Sequence, residues 1–458
     1  MAAAPRPDSL LTTLLGEAPP QLPLHLPAHG RGRALPPPLR RLLRRPPGSW
    51  DQPELPAFGG PLEEHGAVAE AQKRAATQLG AERCWFGVNG ASGLLQVALL
   101  ALAAPGQRML LPRNLHRSLL HGCVLGGVEP LLFDTPSDPR SGIRYPPSPE
   151  TLARVLERCG PVAGLVLVDP TYHGLSGDLQ GLVRLAHSHG LPVLVDQAHG
   201  RGDALAAGAD LVVLSPQKAG VGLAQGAVLL AQGRRVNHEA IERALLWLQT
   251  SSPSALLLAA TAAAIDWQCS AAGERQRQRA LALAGAVRRA LEHHGLPLLP
   301  SDDPLRLTLA TAAFGVAGPR ADAWLMARGV VAELPEPGAL TFCLGLAPPA
   351  GLRRQLPRQL VALRQTLGGP ALPPFEPPPL PLLAGPERPL QEAWRAPWRS
   401  VPLELAAGQL VARPVCPYPP GIPLLIPGER LDGERLAWLK RQRQLWPEQV
   451  ADTVAVVA

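Results

Sequence analysis

The sequence is poor in lysine, in long apolar runs and in closely spaced cysteines. Its apolar runs, such as 92–106 and 255–265, are shorter than the ~20 residues that a bilayer requires, so we expect no membrane span. The N-terminus lacks the long apolar stretch of a secretory signal, which predicts a cytoplasmic protein. The six cysteines show neither Cys-x-x-Cys nor metal-ligand spacing, which predicts free thiols and no bound metal.

Charge is also modest in amount. The chain of 458 residues is 46% hydrophobic and carries a net charge of +7, a composition that excludes disorder along the whole length and allows two or three packed domains. The isoelectric point of about 9.5 could indicate nucleic acid as a partner. The arginines are scattered and do not form basic blocks, so we expect no nucleic-acid binding.

Short apolar segments alternate with helical patterns over residues 53–265. Strands that are continuously apolar and rich in Val and Leu are typical of a sheet buried on both faces. This pattern predicts an α/β large domain with a mainly parallel sheet. The predicted strands are 84–88, 108–111, 128–133, 163–169, 192–196, 210–215 and 226–231.

The remaining chain divides by composition. Residues 1–52 form an N-terminal segment rich in proline and arginine, and 266–369 show the mixed pattern of a smaller α+β domain. Residues 370–389 contain too many prolines for a helix or a central strand, which predicts a linker. Residues 390–458 form a C-terminal segment in which prolines and glycines set turns over 416–429.

Ligands of open α/β sheets bind at the carboxyl ends of the strands, so we consider the residues that follow each strand. After the first strand, Gly90 and Ala91 would let backbone N–H groups approach an anion, and Ser92 adds a hydroxyl at the start of a helix. A plain helix N-cap would also account for Ser92.

Two further strand ends carry an acid and an imidazole, and a third carries a lysine that is considered below. Asp196 ends a buried strand, where a carboxylate needs a cation or a donor, although it could simply cap the next turn. His116 follows another strand and could lie against a flat ligand, or merely hydrogen-bond within its loop.

Lysine is so scarce that its position is informative. Only three of the 44 basic residues are lysines, and of Lys73, Lys218 and Lys440 only Lys218 follows a buried strand. A desolvated lysine loses its proton readily and attacks aldehydes, whereas a solvated loop lysine would have no such role. A phosphate cradle, an acid, an imidazole and this lysine at one sheet edge predict a site for pyridoxal 5′-phosphate (PLP).

Residues 195–199, VDQAH, also look like the acidic box of nucleic-acid helicases. Helicases need a G-x-x-x-x-G-K-[ST] loop to hold nucleotide phosphates. None of the three lysines lies in such a loop, which argues against this interpretation.

Several motifs in order resemble one family, the Orn/Lys/Arg decarboxylases, in the short bacterial form without an N-terminal wing domain. The resemblance implies a fold-type I PLP enzyme and covers nearly the whole chain. The motifs are LHLPAHGRGRALP (24–36), VNGASG (88–93), LPRNLHRSLLHG (111–122), DPTYHGLSGDL (169–179), VDQAHG (195–200), SPQKAGVGLAQGAVL (215–229), LQTSSPSALLLAA (248–260) and CPYPPGIPLLIPGE (416–429).

The resemblance implies roles for individual residues. Lys218 would hold PLP as a Schiff base, and Asp196 would pair with the pyridinium nitrogen. His116 would stack on the ring, and His199 would lie beside the cofactor. Phosphate would be bound by Ser92 and Ser215, with Gly90 and Ala91 in the same cradle. The family also implies a homodimer or a larger even oligomer, with the C-terminal segment helping to complete the site.

The implied reaction is decarboxylation of a basic L-amino acid to its amine and CO₂, as in polyamine biosynthesis, with His116, His199 or Lys218 returning a proton to Cα. The sequence departs from the family at Gln217, where histidine is usual, at Ala91, where a hydroxyl residue is common, and in a short loop over 200–209. Amino transfer, and a PLP-binding homologue with a regulatory role, therefore stay open as alternatives. The choice among lysine, arginine and ornithine also stays open.

Overall fold

The computed structural model describes residues 10–16, 20–52, 55–138, 141–417, 421–447 and 450–458. Parts of three predicted features lie outside these ranges. They are most of the N-terminal stretch considered for a signal, the predicted domain boundary at residue 53, and residues 418–420 of the 416–429 motif.

The N-terminal segment and the large domain contribute most of the regular structure. The segment holds α1 (Leu10–Gly16), β1 (Leu22–Pro23) and α2 (Pro37–Leu42). The large domain follows with α3 (Ala67–Leu79), β2 (Arg83–Gly87), α4 (Gly90–Leu102), β3 (Arg108–Pro112), α5 (Arg117–Gly126), β4 (Glu129–Phe133), α6 (Pro149–Cys159), β5 (Leu165–Val168), α7 (Leu179–Ser188), β6 (Val193–Gln197), β7 (Leu211–Leu214), α8 (Pro216–Ala219), β8 (Ala227–Ala231), α9 (His238–Leu248) and α10 (Ala255–Gln268).

The rest of the chain forms a smaller α+β unit and a C-terminal unit. The first contains α11 (Ala271–His293), β9 (Arg306–Leu309), α12 (Gly318–Met326), β10 (Val330–Val331), β11 (Leu334–Pro335), β12 (Leu340–Cys343) and α13 (Leu352–Leu367). The C-terminal part contains β13 (Leu383–Ala384), α14 (Leu390–Arg395), β14 (Trp398–Pro402), α15 (Gly433–Leu445) and β15 (Thr453–Val457).

The main sheet has eight strands in the order β13-β4-β3-β5-β6-β7-β8-β2. Strands β3 to β7 run parallel, and β8 is antiparallel to both β7 and β2. Side chains alternate between two cores: Leu194 and Val213 pack on one face, Val195 and Val212 on the other. This burial on both faces confirms the mainly parallel sheet predicted from the Val- and Leu-rich strands.

Short strand pairings join the N-terminal segment to the small α+β unit and the predicted linker to the main sheet. Strand β1 pairs with β10, so the N-terminal segment joins the small α+β unit, whose antiparallel sheet has the order β11-β12-β9. Within the stretch predicted as a linker, β13 pairs with β4 at the edge of the main sheet. The predicted boundaries between domains stay a prediction.

A helix that crosses a bilayer must be both long and apolar. Across the described part of the chain, no single helix is both long and apolar enough to cross a bilayer. Helices α10 and α11 meet the length and composition requirement only as a pair, and that pair is bent by 76°.

Candidate active site

The carboxyl ends of β2, β3, β6 and β7 meet at one cavity of about 660 Å³. These four strands run in the same direction, so the residues that follow them lie together at one edge of the sheet. Six of the predicted site residues line this cavity, namely Ala91, Ser92, His116, Asp196, His199 and Lys218.

Two predicted phosphate-binding residues do not line it. Gly90 begins α4 with a φ of +68°, and its N–H donates to the Gln225 carbonyl over 2.7 Å. Ser215 is buried at the start of α8, where its hydroxyl has no hydrogen-bond partner. The N-cap of α4 is Asn89, so Ser92 lies inside the first turn and the N-cap interpretation of Ser92 is wrong.

The Asp196 carboxylate both caps the next turn and lies near a cation. It is only 6% exposed, and its Oδ1 accepts a hydrogen bond of 3.1 Å from the Ala198 N–H, which caps the turn. Burial raises the pKa of Asp196, and the nearby Lys218 charge opposes that rise. The carboxylate therefore faces a cation from a desolvated position, as the buried strand end predicts.

Lys218 extends from the single turn of α8 into the cavity. Its backbone N–H donates to the Ser215 carbonyl over 2.8 Å, and its Nζ lies 3.4 Å from Nε2 of His199. Burial lowers the pKa of Lys218, and the Asp196 charge opposes this. By contrast, Lys73 is exposed on α3 and pairs with Glu70 over 2.9 Å. Lys218 is thus half-buried, whereas Lys73 is exposed.

His116 is the N-cap of α5, and its imidazole both bonds within the loop and lines the cavity. The Ser118 N–H donates to Nδ1 over 3.3 Å, so Nε2 carries the proton of the neutral ring. Burial is the main cause that lowers the pKa of His116 to about 4, and the positive charges of Lys218 and Arg117 contribute less. The ring is therefore neutral at neutral pH.

Residues that the sequence analysis did not assign to the site also surround His199, one from the large domain and one from the small α+β unit. Nη2 of Arg306 lies 2.8 Å from Nδ1 of His199, and the Tyr172 ring lies 4.7 Å from the His199 ring. The Tyr172 hydroxyl donates to Glu333. Position after a strand could have indicated Tyr172, but nothing local indicates Arg306, which comes from a different sheet.

A buried ion pair connects the large domain to the C-terminal unit beside the cavity. Arg113 and Glu429 are 0% and 3% exposed, and Nη2 of Arg113 lies 2.6 Å from Glu429 Oε1. Nη1 of Arg113 also donates to the Leu424 carbonyl over 3.3 Å. Ile422 and Pro423 line the cavity from the chain segment that this pair holds.

Outside the cavity, His187 on α7 has an acidic partner that the fold supplies: its Nε2 lies 2.8 Å from the Asp210 carboxylate. Within the described ranges, no group of three or more His, Cys, Asp and Glu residues has an arrangement suited to a metal.

The sequence of this chain matches a known protein family. The family model for the Orn/Lys/Arg decarboxylase major domain matches residues 53–298, and the model for the C-terminal domain of the same family matches residues 380–446. The arginine decarboxylase of Bacillus anthracis is 29% identical over 447 residues, which are 91% of this chain and 89% of that protein. The arginine decarboxylase of Bacillus subtilis is 29% identical over 443 residues, with 91% and 89% covered.

Solved structures share the fold. The constitutive lysine decarboxylase of E. coli superposes with a TM-score of 0.72 at 18% identity, over 88% of this chain and 74% of that chain. Lysine decarboxylase A of Pseudomonas aeruginosa gives 0.71 at 18% identity, over 94% and 82%. A serine palmitoyltransferase from S. paucimobilis, solved with bound PLP, gives 0.56 at 18% identity, over 74% and 86%.

The matches agree with the chemistry predicted from the strand ends. The fold-type I architecture, the dependence on PLP and the decarboxylation of a basic amino acid are confirmed. Two family models together cover the large domain and most of the C-terminal unit. The chain belongs to the Orn/Lys/Arg decarboxylase family.

Proposed function

We propose that this decarboxylase acts on L-arginine and that Lys218 is the residue that binds PLP covalently. The assignment of Lys218 is supported by its half-buried amine, which lines the cavity together with Asp196 and His199. Arginine is proposed first because arginine decarboxylases align with this chain over about nine-tenths of both lengths.

The residues present fit PLP. The cavity of about 660 Å³ has room for a small aromatic phosphate ester, and two buried oxygens beside it, Ser215 Oγ and Asn114 Oδ1, lack hydrogen-bond partners. Buried polar atoms usually have a hydrogen-bond partner, and polar groups of PLP bound here would supply one to these atoms. An acid, an amine and a helix N-terminus around one space match the ring nitrogen, aldehyde and phosphate of this cofactor.

Each residue has a proposed role toward the cofactor. Ser92 and Ser215 would donate to the phosphate, with the backbone of Gly90 and Ala91 at the positive end of α4. His116 would stack on the ring, and Asp196 would hold the proton of the pyridine nitrogen. Burial alone disfavours the charged form of the Asp196 carboxylate. A protonated pyridine nitrogen beside it would be a cation that stabilises that charged form.

The protein's own groups then control protons and access. When bound, PLP accepts the electron pair that remains on Cα after CO₂ leaves. His116, His199 and Lys218 all line the cavity, and each is a proposed source of the proton that Cα receives. Ile422 and Pro423 cover part of the cavity, which reduces water near Cα.

Three further predictions accompany this function. The homodimer, the cytoplasmic location and the division into domains all stay predictions. Size measurement by light scattering would decide between a monomer and an even oligomer.

The test combines a product assay with absorbance. Purified protein should absorb in the imine band and release more CO₂ from arginine than from lysine or ornithine. Lys218→Ala should lose both properties, whereas Lys73→Ala, at an exposed lysine on α3, should keep them. A Lys218→Ala protein that kept the absorbance and the CO₂ release would refute the assignment.

Other outcomes identify the alternatives. Greater CO₂ release from lysine or ornithine would refute arginine as the substrate while leaving the role of Lys218 intact. A keto acid without CO₂ would indicate amino transfer, and an absorbing protein without turnover would indicate a regulatory role.

A further inference from the structure

Arg306 is buried behind the lysine rather than at the cavity mouth. It lies on β9 and is 3% exposed. Its guanidinium has three partners: His199 Nδ1 at 2.8 Å, Cys343 Sγ at 2.7 Å, and the Asp303 carboxylate at 3.6 Å. None of the sequence motifs that carry the family resemblance includes Arg306. Its contact with His199 therefore has no role in the site as described so far.

The contact determines where the His199 proton sits. A guanidinium has only donors, so Nδ1 of His199 must accept and the neutral ring carries its proton on Nε2. Burial, with the Lys218 and Arg306 charges, lowers the pKa of His199 well below its usual value, which keeps the ring neutral. Nε2 faces Lys218 Nζ at 3.4 Å. An N–H in this position can donate only to an amine that has a free electron pair.

We propose that Arg306 is a positioning residue that acts through His199 to hold the Lys218 amine unprotonated and ready to attack an aldehyde. The chain of donors runs from Arg306 Nη2 to His199 Nδ1, and from His199 Nε2 to Lys218 Nζ. The proposal rests on Lys218 being the cofactor-binding residue, but its test uses protein without cofactor.

Other groups also face the lysine and set the balance. Asp196 from β6 and Glu333 favour the charged ammonium, whereas burial and the Arg306 charge oppose it. Burial raises the pKa of Cys343 to about 12, so its neutral thiol adds no charge. The neutral rings of His116 and His199 complete the surroundings. Removing Arg306 takes away both a positive charge and the constraint on His199, so both changes raise the pKa of Lys218.

The small number of lysines makes a direct test possible. The full-length chain, freed of cofactor, is labelled with trace acetic anhydride over a range of pH, and each lysine is quantified by mass spectrometry. Lys73 is exposed and serves as the internal reference. The midpoint of the Lys218 profile reports its protonation separately from its accessibility.

Arg306→Met should move that midpoint upward. A rise of about one in the pKa lowers the labelling of Lys218 relative to Lys73 about tenfold at pH values below the midpoint. The matched control is Arg277→Met, since Arg277 lines a second cavity on the same side of Lys218 but is paired with Glu274 at 3.8 Å. The control should keep the wild-type midpoint. An unchanged midpoint in a folded Arg306→Met protein would overturn the proposal.

A second measurement needs no Arg306 variant. Nitrogen-15 NMR of the cofactor-free wild type, with the His199 signals assigned by their loss in His199→Asn, should show Nδ1 unprotonated and Nε2 protonated. The opposite tautomer would overturn the proposal even if Arg306→Met does not fold. If CO₂ release fails while the midpoint shift is present, the proposed function is wrong and the role of Arg306 stands.

Discussion

The buried pair Arg113–Glu429 should control how firmly the C-terminal unit closes the cavity. The perturbation is Arg113→Met, which removes the nearest cation from the buried Glu429 carboxylate. Glu429 keeps the Ile426 N–H as a donor at 2.8 Å, and Nη1 of Arg435 lies 3.8 Å from its Oε1. The segment 421–431, which contributes to the cavity wall, would then be held by backbone hydrogen bonds and apolar contacts.

The size of the effect follows from the burial of both partners. Removing one member of a buried ion pair costs about 3–5 kcal/mol when the remaining charge has no other partner. The pair is 0% and 3% exposed, but Arg435 still offsets part of the Glu429 charge, so we expect a cost at or below the lower end of that range. Replacing both residues by methionine should cost less than the two single changes added together, because no unpaired charge is left.

Amide hydrogen exchange of residues 421–431, followed by mass spectrometry, measures this opening free energy in each variant. The matched control is Arg430→Met, which breaks the exposed pair Arg430–Glu387 at 2.6 Å and should change exchange little, because solvent screens that pair. If Arg113→Met changes the opening free energy by less than about 1 kcal/mol, the reasoning about the buried pair is wrong.

Three other predictions concern pH, stacking and packing. Burial raises the pKa of Asp169 from 3.8 to about 6, so the folded state binds the proton more tightly and stability falls as pH rises across that window. Asp169→Asn should reduce this slope in urea midpoints measured against pH and gain up to about 2–3 kcal/mol near neutrality, whereas Asp134 and Asp196, whose pKa values burial also raises, keep part of the slope. An unchanged slope would contradict the prediction. His116→Phe should keep PLP affinity better than His116→Ala in a fluorescence titration, and equal affinities would refute stacking. Leu194→Ala, in the sheet core, should cost about 2–5 kcal/mol in urea unfolding, and a cost near zero would contradict the packing.

Local sequence explains most of the elements. In α3 and α13 an apolar stripe forms the buried face, and the glycine that follows each helix marks where it ends. The strand β13 was not predicted, since a run of prolines gives no sign that two residues between them pair with a distant edge.

The sequence by itself determined the parts of the site that follow parallel strands. Lys218, Asp196 and His116 were predicted together because strands that run in one direction deliver their ends to one edge, wherever they lie along the chain. The predicted contribution of Ser215 and Gly90 is less direct, because these residues do not line the cavity.

Only the tertiary structure decided the partners that tune these groups. Arg306 meets His199 across 107 positions of sequence, and Arg113 meets Glu429 across 316. Such contacts depend on how separate units pack, and the energy of a buried charge depends on its neighbours in space. Spacing along the chain predicts which groups reach the sheet edge, whereas the proton positions on those groups follow from contacts that only the folded protein makes.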